Sequence, residues 1–138
     1  MDEYIKEILK LAYKSYEADE VPVGAIIVKK GKIIGRGFNN REYSHLITGH
    51  AEINAINDAC KFTGDWRLDD CELYVTLKPC MMCTGAIIES RIKKVFYLCD
   101  KTNVCENNVF FNEEKIEDSV FYDEYVNLLK LFFENKRI

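Results

Sequence analysis

The chain has 138 residues, a hydrophobic content of 48% and a formal net charge of −4. This size predicts one domain, residues 1–138, with a real core, and the acidic balance disfavours broad nucleic-acid affinity while allowing a local basic face. No 18-residue apolar run is present and the charged start, Met1–Lys6, lacks the apolar stretch of a signal peptide, so we expect a cytoplasmic protein with no membrane partner.

The first third of the chain predicts a helix followed by a hairpin. Residues 2–18 place apolar side chains at helical spacing between lysines and glutamates. The run Val21–Val28 is apolar and rich in β-branched residues, which predicts a buried strand. The turn signal Lys30-Gly31-Lys32 then separates it from a second strand, Ile33–Phe38.

The middle of the chain predicts two further strands, each preceded by a helix. A polar stretch, Asn39–Gly49, leads into a predicted helix over 50–62. The run Glu72–Leu77 predicts a third strand. Pro79 marks the start of a helix over roughly 80–90, because its missing N–H costs nothing in a first turn. Residues 93–99 predict a fourth strand.

The end of the chain predicts a last helix, from one apolar stripe made of Tyr122, Tyr125, Val126, Leu129, Phe132 and Phe133. The order of elements predicts an α/β domain in which helices cover a mixed sheet. The pattern makes no prediction for how residues 100–121 fold.

Two short motifs carry the chemistry. His50-Ala51-Glu52 is followed by Pro79-Cys80-Met81-Met82-Cys83, which together supply one imidazole, two thiolates and a spare carboxylate. Structural zinc sites use four protein ligands, whereas catalytic sites keep one position open for water. Three ligands and an acid at this spacing are the signature of the zinc nucleobase deaminases.

The predicted elements place both ligand groups at helix starts. His50 opens one helix, and Cys80 and Cys83 lie three residues apart in the first turn of another, so they share a face. The positive end of a helix favours thiolate over thiol and therefore favours metal binding. Open α/β sheets also bind ligands where these helices begin.

Glu52 is the candidate proton carrier. Two thiolates cancel the charge of Zn²⁺ and make it a milder Lewis acid, so a nearby base helps to activate water. In a hydrolytic deamination Glu52 takes a proton from water and delivers it to the ring nitrogen, and ammonia leaves. Because Glu52 is ionised at one stage and protonated at another, we expect surroundings that raise its pKa.

Single residues also permit plainer interpretations. The pair Cys80 and Cys83 alone would suit a structural zinc or a redox site, but no fourth ligand stands at the required spacing. The remaining cysteines have no motif around them and are expected to be buried free thiols: Cys60, Cys71, Cys99 and Cys105. A second metal site from Cys99 and Cys105 has no other support.

Lysines and arginines cluster at 29–36, 91–94 and 136–137. Taken one at a time, these clusters are most simply solvated hairpin and helix ends. On the walls of a pocket, however, they would suit an RNA substrate.

Beyond the zinc motifs, the chain resembles the bacterial tRNA adenosine deaminases of the cytidine deaminase-like superfamily. The segments that carry the resemblance are Glu20–Ala25, Trp66–Leu68, Leu73–Leu77, Pro79–Ala86, Ser90–Ile92 and, near the end, Asp123-Glu124 with Leu128-Leu129 and Phe132-Phe133. The resemblance implies a three-layer α/β fold with a mixed sheet of about five strands flanked by helices.

The resemblance also implies roles for particular residues. His50, Cys80 and Cys83 would bind one zinc ion per subunit, Glu52 would shuttle the proton, and Asn39 would contact the substrate base. The protein would be a homodimer that converts the wobble adenosine of a tRNA anticodon to inosine. Such a base must be splayed out of its stack, which an unpaired loop permits at low cost.

Three departures from the family keep alternatives open, the first being that Leu46–Gly49 lacks the Asp-Pro pair seen in many members. Lys78 stands where the family usually has glutamate, and residues 100–121 are shorter than their counterpart and contain no glycine. The acidic net charge and the altered segment after Asp100 favour an alternative deaminase of a free base or nucleoside, of the guanine, adenosine or cytosine type. A zinc-stabilised binding module without catalysis is a third hypothesis, against which the intact Glu52 argues.

Overall fold

A computed structural model of the protein describes residues 1–100, 110–117 and 119–136. The helices are α1 (Asp2–Glu17), α2 (Arg41–Ser44), α3 (Ala51–Thr63), α4 (Met81–Glu89) and α5 (Tyr122–Lys136). The strands are β1 (Gly24–Lys29), β2 (Lys32–Phe38), β3 (Cys71–Leu77), β4 (Lys94–Cys99) and β5 (Asn112–Lys115). In the described ranges, no helix is both long enough and apolar enough to cross a membrane.

The five strands form one mixed sheet in the order β2-β1-β3-β4-β5. Strand β1 is antiparallel to β2 and β3, whereas β3, β4 and β5 run parallel. The predicted α/β fold with a mixed five-stranded sheet is confirmed. Because β3 and β4 are parallel, their carboxyl ends meet at one end of the sheet, where α4 begins.

Strand β1 is buried on both faces, which makes the sheet the middle of three layers. Ile26 and Val28 pack with Ile8 and Leu11 of α1 on one face. Ala25 and Ile27 alternate with them and belong to the larger core cluster, which includes Ala55 and Ala59 of α3. Alternation of side chains along a strand therefore fixes which helix covers which face.

Two glycines of β2 let α3 lie directly on the sheet. A Cβ atom at Gly37 would come within 2.3 Å of the Ala51 carbonyl oxygen, and one at Gly35 within 2.5 Å of the Ala55 carbonyl oxygen. These positions exclude any side chain. The close approach holds the first turn of α3, with its candidate functional residues, against the end of β2.

Helix α5 is fixed to the start of β1 by a buried tyrosine. Tyr125 is fully buried, and its hydroxyl donates a hydrogen bond of 2.7 Å to the Pro22 carbonyl oxygen. The predicted strand over Val21–Val28 therefore begins three residues late, at Gly24, since Pro22 has no N–H for the sheet and directs its carbonyl to α5.

Two short elements were not predicted. Helix α2 is a single turn inside the polar stretch Asn39–Gly49, and β5 lies within the segment 100–121. Both lack a periodic apolar pattern, and β5, with the sequence Asn-Glu-Glu-Lys, has no buried residue. Their positions depend on partners distant in sequence: Glu20 for α2 and β4 for β5.

Candidate active site

A cleft of about 700 Å³ opens at the end of the sheet where β3 and β2 finish. Its walls come from the α1–β1 connection, the segment between β2 and α3, the residues after β3, and α5. The lining includes four of the five residues predicted from the motifs and the resemblance: Asn39, His50, Glu52 and Cys80. Cys83 lies directly behind them, fully buried.

His50, Cys80 and Cys83 come together as a compact set of ligand atoms. Both helix starts behave as predicted, since His50 is the N-cap of α3 and Cys80 the N-cap of α4. The His50 Nδ1 atom lies 3.6 Å from Cys80 Sγ and 3.5 Å from Cys83 Sγ, and all three ligand atoms lie within 4.8 Å of one another. The three side chains can therefore hold one metal ion.

The spacing fits a tetrahedral zinc. With Zn–N near 2.0–2.1 Å and Zn–S near 2.3 Å, tetrahedral angles separate nitrogen and sulfur by roughly 3.5 to 3.6 Å. The distances from His50 Nδ1 to the two sulfurs match this separation. The donor set of one imidazole and two thiols is also one that zinc prefers, and it would supply three of the four ligands that a tetrahedral zinc takes.

The thiol and imidazole groups of the three candidate ligands shift one another's pKa values. Hydrogen bonds from Cys83 and His50 hold the pKa of Cys80 well below that of an ordinary thiol. The hydrogen bond to Cys80, followed by burial, raises the pKa of Cys83. Hydrogen bonding to Cys80 raises the pKa of His50 as well. A low pKa at Cys80 favours the thiolate, which is the form that binds a metal ion.

Glu52 is the second buried group of the site. Its side chain is 4% exposed, and burial raises the pKa of the carboxyl group to about 7. The predicted upward shift is confirmed in direction, with desolvation as its main cause. A carboxyl group with a pKa near neutrality can both accept and return a proton at physiological pH, which an exposed glutamate does poorly.

Asn39 caps the helix that carries His50 and Glu52. Its Oδ1 atom accepts a hydrogen bond of 2.8 Å from the Ala51 N–H, the first amide of α3. This cap is compatible with the expected contact to a substrate base, because it uses only the oxygen of the amide. Within the described part of the chain, Asn39 Nδ2 has no hydrogen-bond partner, and Asn39 lines the cleft.

Two lining residues had no role in the sequence motifs. Glu20 is buried at 3% exposure, and its carboxylate accepts hydrogen bonds from backbone amides of α2. Lys78, the departure from the family pattern, lines the cleft with its ammonium 5.5 Å from the centre of the Tyr97 ring. No local pattern identifies Glu20, because its partners lie more than 20 residues away.

The basic cluster over 29–36 does not flank the cleft. Lys29 pairs with Cys71 at the start of β3, which puts the hairpin turn at the far end of the sheet. Arg36 instead forms an ion pair of 2.9 Å with Glu7. Arg137 lies outside the described residues, as does the side chain of Lys136.

The remaining cysteines only partly follow the prediction. Cys71 and Cys99 are buried free thiols, as expected. Cys60, in the last turn of α3, is only half-buried, so the prediction was wrong there. Cys105 lies outside the described residues, so the idea of a second metal site with Cys99 is not tested.

Comparison with known proteins agrees with this geometry. The profile of the MafB19-like deaminase family matches residues 1–137. The tRNA-specific adenosine deaminase of Bacillus subtilis (strain 168) is 39% identical over 143 residues, which cover 97% of this chain and 89% of that protein.

Two solved structures are similar to this one. One comes from studies of A-to-I editing by tRNA:A34 deaminases at the wobble position of transfer RNA. It has a TM-score of 0.77 and 32% identity, over 83% of this chain and 98% of that chain. A guanine deaminase from Bacillus subtilis has a TM-score of 0.68 and 44% identity, over 72% of this chain and 64% of that chain. With its profile match and its near full-length similarity, the chain belongs to the MafB19-like deaminase family, together with the bacterial tRNA-specific adenosine deaminases.

Proposed function

We propose that residues 1–138 form one zinc-dependent deaminase domain that converts the wobble adenosine of a tRNA anticodon to inosine and releases ammonia. The observation that carries the proposal is a buried glutamate, Glu52, in the same cleft as a His-Cys-Cys set of ligand atoms. Near full-length similarity to tRNA-specific adenosine deaminases supports adenosine in tRNA as the substrate and, with it, a cytoplasmic location.

The residues of the site divide the chemistry between them. His50, Cys80 and Cys83 would hold the zinc ion, which supplies activation of water when bound. Glu52 takes the proton that this water loses and passes it to the ring nitrogen of adenine. The water oxygen bonds to the ring carbon that carries the amine. As the carbon–nitrogen bond breaks, Glu52 takes the second proton from this added hydroxyl group and gives it to the amine, which leaves as ammonia. Each transfer requires a carboxyl group whose pKa lies close to neutrality, and burial gives Glu52 a pKa of about 7.

Asn39 would orient the base. Its Oδ1 atom is occupied by the Ala51 amide, so the Nδ2 group is the part of the side chain that can donate to an acceptor atom of adenine. The same cap fixes the Asn39 side chain relative to the first turn of α3. The substrate base, held by Asn39, and Glu52 would then both be positioned by the first turn of α3.

The rim of the cleft suits unpaired nucleotides. The segment between β2 and α3 exposes large apolar side chains, namely Tyr43 (82% exposed), Leu46 (58%) and Ile47 (75%). Arg41 and Lys78 add positive charge to the cleft lining, which also holds carboxylates of the α1–β1 connection and of α2. Splayed bases stack on apolar and aromatic surfaces while cations contact phosphates, so an anticodon loop fits this rim despite the acidic net charge.

We further propose that the protein is a homodimer through α4. This helix carries no charge before Glu89, yet Met81 is 76% exposed and Gly85 has open space where a Cβ would be. An apolar helix with one uncovered side is typical of a subunit interface. Sedimentation equilibrium should give twice the monomer mass, and Met81→Glu should shift the protein toward monomer.

The substrate is tested by comparing RNA with small molecules. The zinc-loaded protein is incubated with a transcribed tRNA carrying a wobble adenosine and, separately, with guanine, adenosine and cytosine. Sequencing should detect inosine at the wobble position only. A tRNA with guanosine at that position is the matched control and should release no ammonia.

A free-base deaminase is the second candidate. The guanine deaminase of Bacillus subtilis, at 44% identity over 72% of this chain, favours it. Ammonia release from guanine without inosine formation in tRNA would overturn the tRNA assignment and leave the deaminase chemistry in place.

A further inference from the structure

Glu20 is one of two buried carboxylic side chains among the described residues, the other being Glu52. A carboxylate is expensive to bury unless several donors satisfy it. Here two backbone amides do so: the Glu42 N–H donates to Oε1 at 3.0 Å and the Tyr43 N–H donates to Oε2 at 2.9 Å. Both oxygens of the carboxylate are thus engaged by consecutive amides of α2.

The end of α1 fixes the backbone that carries this carboxylate. The Asp19 N–H donates to the Tyr16 carbonyl oxygen, and the Glu20 N–H donates to the Ser15 carbonyl oxygen. Asp19 has a φ of 64°, so the chain turns through the left-handed region directly after α1. This pair of bonds is the Schellman arrangement of a helix end, and it leaves Glu20 little backbone freedom.

Helix α2 by contrast has little else to hold it. It is a single turn without buried residues, and an isolated turn of helix is unstable in water. Yet α2 forms a wall of the cleft, which Arg41, Glu42 and Tyr43 line together with Glu20. The carboxylate of Glu20 therefore connects the rigid end of α1 to α2, a helical turn that would be unstable by itself.

We propose that Glu20 is a positioning residue that holds α2 against the mouth of the cleft, so that the wall contacting the substrate is formed before binding. The inference rests on the proposed function for the identity of the substrate, but not for the anchoring itself. Pre-forming a binding wall lowers the ordering cost of association, so its loss should appear in KM more than in kcat.

The test uses Glu20→Gln in the full-length, zinc-loaded protein. Glutamine has the same shape, but only one acceptor oxygen, so at least one of the two amides meets an NH2 group. Amide hydrogen exchange at Glu42 and Tyr43, measured by NMR, should accelerate about tenfold or more. KM for the tRNA should rise several-fold, while kcat stays within about twofold and zinc content is unchanged.

Glu17→Gln is the matched control, because it removes the same charge from an exposed position three residues earlier. It should leave exchange and KM at wild-type values. Unchanged exchange at Glu42 and Tyr43 in Glu20→Gln would overturn the anchoring. Faster exchange with an unchanged KM would overturn its role in substrate binding.

A measurement on the wild-type protein needs neither variant nor substrate. The amides of Glu42 and Tyr43 should be protected at least tenfold relative to a freely exposed peptide. Absence of protection would overturn the proposal even if Glu20→Gln did not fold. Failure of the wild type to deaminate tRNA would instead overturn the proposed function alone, since the exchange data do not depend on it.

Discussion

The two ends of the central sheet differ in what they bury. At the cleft end, where β2 and β3 finish, Glu20 and Glu52 are almost fully buried. At the hairpin end, where β3 and β4 begin, Lys30 and Lys32 are exposed, and Trp66 is 55% exposed between the guanidinium groups of Arg67 and Arg91.

This difference indicates that the cleft end of the sheet carries the chemistry, whereas the charges at the hairpin end only contact solvent. A buried carboxylate lowers stability unless its hydrogen bonds or its function compensate, so a cluster of such groups indicates a working site. Charges in water, even beside an aromatic ring, cost little and contribute little to stability. The cleft end is therefore distinguished by the desolvation cost of its buried carboxylates and not by the number of its charges.

The largest effect is expected from removing a ligand at the cleft end. Cys83→Ala should lower zinc affinity by more than the roughly 10–100-fold that loss of an outer-shell partner costs, and deamination should become undetectable. Zinc content by atomic emission and ammonia release are the measurements. Cys71→Ala, another buried thiol outside the site, should keep full zinc content.

Replacing the buried acid should abolish most turnover without loss of zinc. Glu52→Gln removes the proton carrier but keeps its shape, so kcat should fall by about 10²–10⁴. Unfolding in denaturant should show equal or greater stability, because the neutral amide avoids the desolvation cost. Turnover within tenfold of the wild type would instead show that Glu52 is not the proton carrier.

Asn39 allows capping and substrate contact to be separated. Asn39→Ala removes the acceptor of the Ala51 amide and should cost about 1 kcal/mol of unfolding free energy, as loss of a helix cap does. Asn39→Asp keeps the acceptor but loses the donors. It should therefore unfold like the wild type, while kcat/KM falls about tenfold. Equal kcat/KM for Asn39→Asp and the wild type would restrict Asn39 to capping.

The smallest effect is expected at the hairpin end. The double variant Lys30→Gln with Lys32→Gln should change unfolding free energy by less than about 0.5 kcal/mol and leave KM for the tRNA unaltered. The hairpin turn lies across the sheet from the cleft, so these lysines are too far to contact a bound base. A severalfold rise in KM would show that the RNA extends to this end.

Most of the fold could be predicted because its signals are local. Apolar periodicity located α1, α3, α4, α5 and four strands to within a few residues. Helix α2 and β5 have no such pattern and form only where Glu20 and β4 supply their hydrogen bonds. Elements without an apolar face of their own depend on tertiary partners and leave no local trace in the sequence.

The sequence by itself determined the reaction type, because zinc chemistry needs particular ligand atoms, and His50, Cys80 and Cys83 stand at helix starts where local patterns place them. Only the tertiary structure decided how these atoms meet, with the sulfurs 3.5 and 3.6 Å from one nitrogen. It alone revealed that Glu52 is buried enough to reach a pKa of about 7, and that Glu20 is engaged with α2. Distances and desolvation arise from packing between segments far apart in the chain, and no local pattern records them.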